Sequence, residues 1–221
     1  MDGRRTWMSI LCCGFGLMTV QCDSQRSGEL SVLPFGELDL SRSGPGQRRG
    51  RTPSGQAQAE WAAEGHRPWR YIVIHHSATQ RGSAALFDKW HRAKGWDELG
   101  YHFVIDNGDG GPDGRIEVGR RWRTQKWGAH CGGTPNNEYN NYGIGICLVG
   151  DFSRRGASRR QLAALKRLVT YLAATYNIPA DRVVGHCDAP NASTACPGPR
   201  LHDYVRNTLR PDLARYLATG K

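Results

Sequence analysis

No apolar run in this 221-residue chain reaches the roughly 18 residues that an ordinary membrane-spanning helix needs. There is no Cys-x-x-Cys pair and no His-Glu-x-x-His string, so zinc-finger and zincin spacings are both excluded. No internal repeat is found. Acidic residues are in short supply: 20 Asp and Glu stand against 30 Lys and Arg, a formal net charge of +10. Such a surface suits an anionic partner, whether nucleic acid, acidic lipid or anionic wall polymer, and charge alone does not choose among them. The rest of the composition is ordinary, with 38% hydrophobic and 23% charged residues, 28 Gly and 11 Pro. That excludes a wholly disordered chain and a collagen, and suits one globular domain with some irregular chain attached.

The N-terminus has the order of a secretory signal. Arg4 and Arg5 precede an apolar stretch over residues 7–20, and polar chain follows from Gln21. The reading is a signal over residues 1–22 and export to periplasm, cell envelope or exterior. Gly14 and Gly16 argue against a helix of the fold proper. Cys22 offers a variant, a lipoprotein signal whose lipidated Cys attaches the chain to a membrane; Gln21 fits poorly, since a small residue normally precedes that Cys. Residues 23–68 read as a flexible linker, rich in Ser, Gly, Pro, Gln and Arg and poor in large apolar side chains. The folded domain is expected over 69–221. Residues 1–68 hold 8 basic and 7 acidic residues, which leaves +9 on the expected domain, so the charge does not belong to a basic arm.

Within 69–221 the patterning mixes strands and helices. Residues 71–75 (YIVIH) form a β-branched, aromatic run of the doubly buried kind. Leu86, Phe87, Trp90 and Ala93 fall at helical spacing, with Gly95 as the stop. Residues 101–105 predict a strand, 106–114 (DNGDGGPDG) a turn, and 115–118 a returning hairpin strand. Residues 144–149 predict another buried strand. Ser158 and Gln161 make a capping box ahead of a face formed by Leu162, Leu165, Val169, Leu172 and Tyr176, which ends at Asn177 and Pro179. A short strand at Val183 and Val184 precedes a last helix from about Leu201 that Pro211 kinks or restarts. The fold class is α/β: a central mixed β-sheet flanked by helices.

Three places carry chemistry: His75-His76 ending the first strand, Tyr101-His102 opening the second, and residues 185–198 with His186, Cys187, Asp188 and Cys196. His, Cys and Asp at strand ends point to a metal site, because a sheet holds them rigidly. Side chains alternate along a strand, so only one of His75 and His76 faces such a site. Cys147, in an apolar strand, reads as a buried small hydrophobe.

The string 72–79 (IVIHHSAT), then Gly95-Trp96, Gly100-Tyr101-His102-Phe103, Gly128-Ala129-His130, Ile144-Gly145-Ile146, and Gly185-His186 through Thr194-Ala195-Cys196-Pro197-Gly198 resembles the zinc-dependent N-acetylmuramoyl-L-alanine amidases. That group includes phage-lysozyme-type amidases and peptidoglycan recognition proteins, and the likeness covers about residues 69–209. It implies the peptidoglycan-recognition-protein-like amidase fold. It implies a Zn2+ cofactor on His75, His186 and Cys196, with water in the fourth position and the pKa of that water lowered toward ~7. The bond cleaved would join the lactyl group of N-acetylmuramic acid to L-Ala. Tyr101 would stabilise the oxyanion, and Thr194 matches the position of a second polar catalytic group. His130 and Asn140 match residues along the substrate groove, and Trp96 is a candidate to touch sugar or peptide. The implied partners are peptidoglycan and muropeptides, not nucleic acid, with the chain a monomer.

Three departures from the family pattern bear on this. The 186–196 loop is about two residues longer than usual, which bears on Thr194. Cys147 stands where one branch carries a catalytic Glu, so the chemistry leans on Tyr101. Asp188 is a rival oxygen ligand, set below Cys196 because TACPG matches as a unit. Export makes a disulfide between Cys131 and Cys187 chemically accessible. Two further readings remain beside the amidase: a non-catalytic peptidoglycan-binding module, and a Cys–His hydrolase using Cys196 and His186.

Overall fold

A computed structural model describes residues 60–220. These belong to one compact unit, Gly50–Lys221; the other unit, Met1–Arg49, lies outside the described residues, as do the expected signal segment and Cys22.

The sheet has five strands: β1 (Tyr71–His76), β2 (Phe103–Ile105), β3 (Ile116–Val118), β4 (Gly143–Leu148) and β5 (Val183–Gly185), in the order β3-β2-β4-β1-β5. β1 pairs in parallel with β4 and β5, β2 in parallel with β4, and β3 closes one edge antiparallel to β2. The β2–β3 pair is the expected hairpin. β2 is shorter than the 101–105 run, because Tyr101 and His102 only lead into the ladder; the His102 N–H still donates to the Gly145 carbonyl at 2.9 Å.

Period-2 alternation divides β1 between two environments. Ile72 and Ile74, with Ile144, Ile146 and Leu148 of β4, enter the main core. The long helix Arg159–Tyr176 covers that core with Leu165, Leu168, Val169 and Leu172, each fully buried. Burial on this scale contributes roughly 1.5–3 kcal/mol per large aliphatic side chain. The helix starts as expected, with Ser158 and Gln161 capping each other, and the Gln161 amide also donates to the Val149 carbonyl at 2.8 Å, tying the helix to the end of β4. It ends at Asn177 in the left-handed conformation (φ 54°). The last helices, Pro199–Tyr204 and Arg210–Thr219, are joined by a π turn over Val205–Leu209, and Pro211 opens the second of them, where a missing N–H costs little.

The packed chain starts earlier than residue 69. Trp61 is 3% exposed, its carbonyl accepts the Trp122 indole N–H at 2.7 Å, and its ring meets Tyr171 edge-on. The helix Ala84–Ala93 forms as expected, with Ser83 as its cap, but of its apolar residues only Phe87 is buried and Trp90 is 40% exposed.

Candidate metal centre

Tyr71, Val73 and His75 point away from the main core. On this second face β4 presents Gly143, Gly145 and Cys147, and the glycines have a steric reason. A Cβ on Gly145 would lie 2.4 Å from Cδ2 of His130, and one on Gly143 2.2 Å from the Tyr139 carbonyl oxygen. The bare strand makes room for an imidazole laid flat against it.

That imidazole orients His75. His130 Nε2 lies 3.2 Å from the Gly143 carbonyl, which can only accept, so this nitrogen carries the hydrogen. His130 Nδ1 is then the acceptor for His75 Nε2 at 3.1 Å. His75 Nδ1 is left with its lone pair turned toward Cys196 Sγ. The tautomer follows from the chain of donors, the usual outer-shell device for a metal-ligating histidine.

His75 Nδ1 lies 3.6 Å from Cys196 Sγ. Two ligands on one tetrahedral zinc, with bonds of about 2.0–2.1 Å to nitrogen and 2.3 Å to sulfur, are about 3.6 Å apart. The His186 ring is 4.7 Å from that of His75, and the three ligand atoms of His75, His186 and Cys196 lie within 4.8 Å of one another. Burial, then the neighbouring His186, holds His75 well below the usual histidine range; burial likewise brings His186 to about 4. Both imidazoles are neutral near pH 7, as metal ligands must be. The backbone N–H of His76 donates to Cys196 Sγ at 3.4 Å, supporting negative charge on sulfur. The residues therefore fit a zinc ion in their donor types and in their spacing.

His76 points the other way: its Nδ1 accepts the Phe152 N–H at 3.3 Å. His130 and Asn140, expected along the substrate groove, are 8% and 6% exposed and sit behind the ligands. Asn140 Oδ1 accepts the N–H groups of both His130 and Cys131 at 2.8 Å, fixing the strip that carries His130. Tyr101 is half-buried with its ring 5.3 Å from that of His75, and it lies beside the Cys147 thiol. Thr194 is exposed and accepts the Cys196 N–H at 3.1 Å. Trp96 is 39% exposed and lies over His91 at 4.5 Å. Asp188 is not in the ligand cluster: it pairs with His202 and accepts the Gly185 N–H. Cys131 and Cys187 are both free thiols, Cys131 fully buried under the Asn140 bonds and Cys187 half-buried beside Asp188. Cys147 is fully buried, as read. Residue-type reasoning did not single out Gly145 and Gly143, although the Gly-x-Gly-x-Cys alternation over 143–147 is the visible signal of a face kept clear.

A mixed sheet with two histidines and a cysteine converging near the ends of β1 and β5 defines an α/β protein with a candidate metal-binding site. The model of the N-acetylmuramoyl-L-alanine amidase family matches residues 65–199, and the chain belongs to that family. It is 31% identical over 143 residues to the endolysin of Enterobacteria phage K11, covering 61% of this chain and 84% of that one. It is 32% identical over 149 residues to peptidoglycan recognition protein 1 of Bos indicus, covering 63% and 72%. Among solved structures, the endolysin amidase LysCS from Clostridium intestinale URNW aligns with a TM-score of 0.51 at 30% identity, covering 63% of this chain and 83% of that one.

Proposed function

We propose that this chain is an exported, zinc-dependent N-acetylmuramoyl-L-alanine amidase that hydrolyses the amide between the lactyl group of N-acetylmuramic acid and L-Ala in peptidoglycan. The observation that carries the reading is the convergence of His75, His186 and Cys196 within 4.8 Å, with the lone pair of His75 Nδ1 turned toward Cys196 Sγ. A zinc ion on these ligands supplies Lewis acidity and a water activated near neutral pH.

The chain's own residues do the rest. His130 and the Gly143 carbonyl keep His75 in one tautomer and one orientation. Tyr101 supplies a hydroxyl for the oxyanion that develops on the scissile carbonyl; its present neighbour, a thiol, is a weak acceptor that a charged oxygen readily replaces. A donor so aimed is worth roughly 10²–10³ in rate. The Thr194 oxygen is engaged by the Cys196 N–H, which leaves its O–H to donate to substrate. Trp96 offers an exposed ring face for sugar or peptide stacking. Residues 1–22 serve export, 23 to about 59 act as a tether, and the basic surface holds the domain, working as a monomer, against an anionic wall.

Incubating the purified chain with sacculi, with and without chelator, and weighing the products tests this. Free stem peptides with N-terminal L-Ala, lost on chelation and regained with zinc, are expected. Binding without release would make the chain a recognition module, and chelator-resistant cleavage would make it a Cys–His hydrolase. Cys196→Ser is expected to lose the metal of this centre and activity together.

A further inference from the structure

A second set of metal-ligating side chains lies outside the centre just described. Cys187 Sγ, a carboxylate oxygen of Asp188 and an imidazole nitrogen of His202 lie within 4.8 Å of one another. We propose that Cys187, Asp188 and His202 bind a second zinc-class divalent ion. It would link the 3₁₀ turn His186–Asp188 to the helix Pro199–Tyr204.

The set is built into the backbone. The Asp188 carboxylate is oriented by the Gly185 N–H, which donates to Oδ2 at 2.8 Å, and both its oxygens lie 2.9–3.0 Å from His202 Nε2. His202 reaches this point because residue 185 has no side chain: a Cβ there would fall 2.9 Å from His202 Cδ2 and 2.8 Å from Pro197 Cδ. The turn offering Cys187 is pinned on both sides, by the Cys187 N–H to the Cys196 carbonyl at 2.8 Å and the Ala189 N–H to the His186 carbonyl at 3.1 Å. Two ligands therefore come from a fixed turn and the third from a helix 14 residues on, so the site exists only in the folded chain.

The donor set selects the ion. A thiolate, an imidazole and one carboxylate suit zinc and disfavour calcium and magnesium, which take oxygen shells. On binding, the ion takes the place of the hydrogen now between Asp188 and His202, the neutral imidazole carries its hydrogen on Nδ1 instead, the Cys187 thiol proton passes to solvent, and water completes the shell. Cys187 and His202 are half-buried and Asp188 is exposed, so the ion enters and exchanges without opening the fold. Because the turn and helix flank the segment that carries Cys196, this ion braces the ligand loop of the first centre without joining its chemistry.

The test is metal stoichiometry, which does not depend on activity. The full chain is equilibrated with excess zinc, desalted, and its metal measured by mass spectrometry, alongside Cys187→Ser, His202→Gln and Cys196→Ser, with circular dichroism confirming each fold. About two ions in the parent, and one in each variant, are expected. Cobalt substitution gives a second readout: Cys187→Ser should remove about half the thiolate charge-transfer absorption. One ion in the parent that Cys187→Ser keeps and Cys196→Ser loses overturns the second site and leaves the amidase centre standing. One ion that Cys187→Ser loses and Cys196→Ser keeps does the reverse. Two ions retained in both Cys187→Ser and His202→Gln also overturn the proposal.

Discussion

Replacing Asp106 with Asn is expected to stabilise the domain, and more so as pH rises. Asp106 follows β2, is fully buried, and neither carboxylate oxygen has a hydrogen-bond donor. Its neighbour is Glu117 of β3, whose Oε1 accepts the Ala84 N–H at 2.6 Å and whose Oε2 lies 3.7 Å from Arg115. Burial, then the Glu117 charge, pushes Asp106 up to about 7, so Asp106 keeps its proton in the fold at pH values where the unfolded chain, titrating near pH 4, has lost it. Between these values the folded state binds one more proton than the unfolded state, and stability falls as pH rises, by up to about 1.4 kcal/mol per unit. The fall is complete above about pH 7. From pH 5 to 8 the limit is therefore near 3 kcal/mol, and local relaxation around the buried carboxyl brings the expected figure to about 1–3 kcal/mol. Asn donates to Glu117 at every pH and lacks this slope. Urea unfolding of both proteins at pH 5 and pH 8 under saturating zinc reads the difference, because the metal contribution is common to both. Parallel stability curves for the two proteins would refute the proton retained on Asp106.

Tyr101→Phe keeps the ring and is expected to retain zinc and fold while kcat falls by about 10²–10³ with little change in KM; an unchanged kcat removes Tyr101 from the chemistry. His130→Ala removes the acceptor that orients His75 and is expected to weaken zinc binding by about 10–100-fold, measured by competition with a chromophoric chelator; unchanged affinity would refute the orienting role. Binding to sacculi should weaken between low and moderate salt while cleavage of a small soluble muropeptide changes little, since exposed charges are screened beyond about 10 Å at 0.1 M; equal sensitivity for both substrates would refute surface steering.

Strand alternation established that only one of His75 and His76 reaches a given face, and the family resemblance, not the alternation, pointed to His75. The capping box, the Asn177 stop and the hairpin were legible because each is a local preference of a few residues. The roles of His130 and Asn140 were not. A sequence match aligns them with a groove, but their burial follows from Gly145 lying beneath the ring and Asn140 reaching back across 10 residues to the His130 N–H. Trp61 was also missed. It stands among polar and small residues, and its place in the core depends on Trp122, 61 residues away. Trp90 fits the helical spacing and is nonetheless 40% exposed; its ring leans on Phe87 of the same helix rather than entering the core.

His75 and Cys196 are 121 residues apart, at the first strand and in the loop after the last one. The centre therefore reports on completion: no fragment ending before residue 196 holds all three ligands. On the proposed function, metal capture would come after the domain has closed, and an unfolded chain crossing a membrane would have no preformed cage to carry an ion with it. In an exported protein the ion would then be drawn from the destination compartment. Zinc supply there, rather than the rate of synthesis, would set how much of the protein becomes competent.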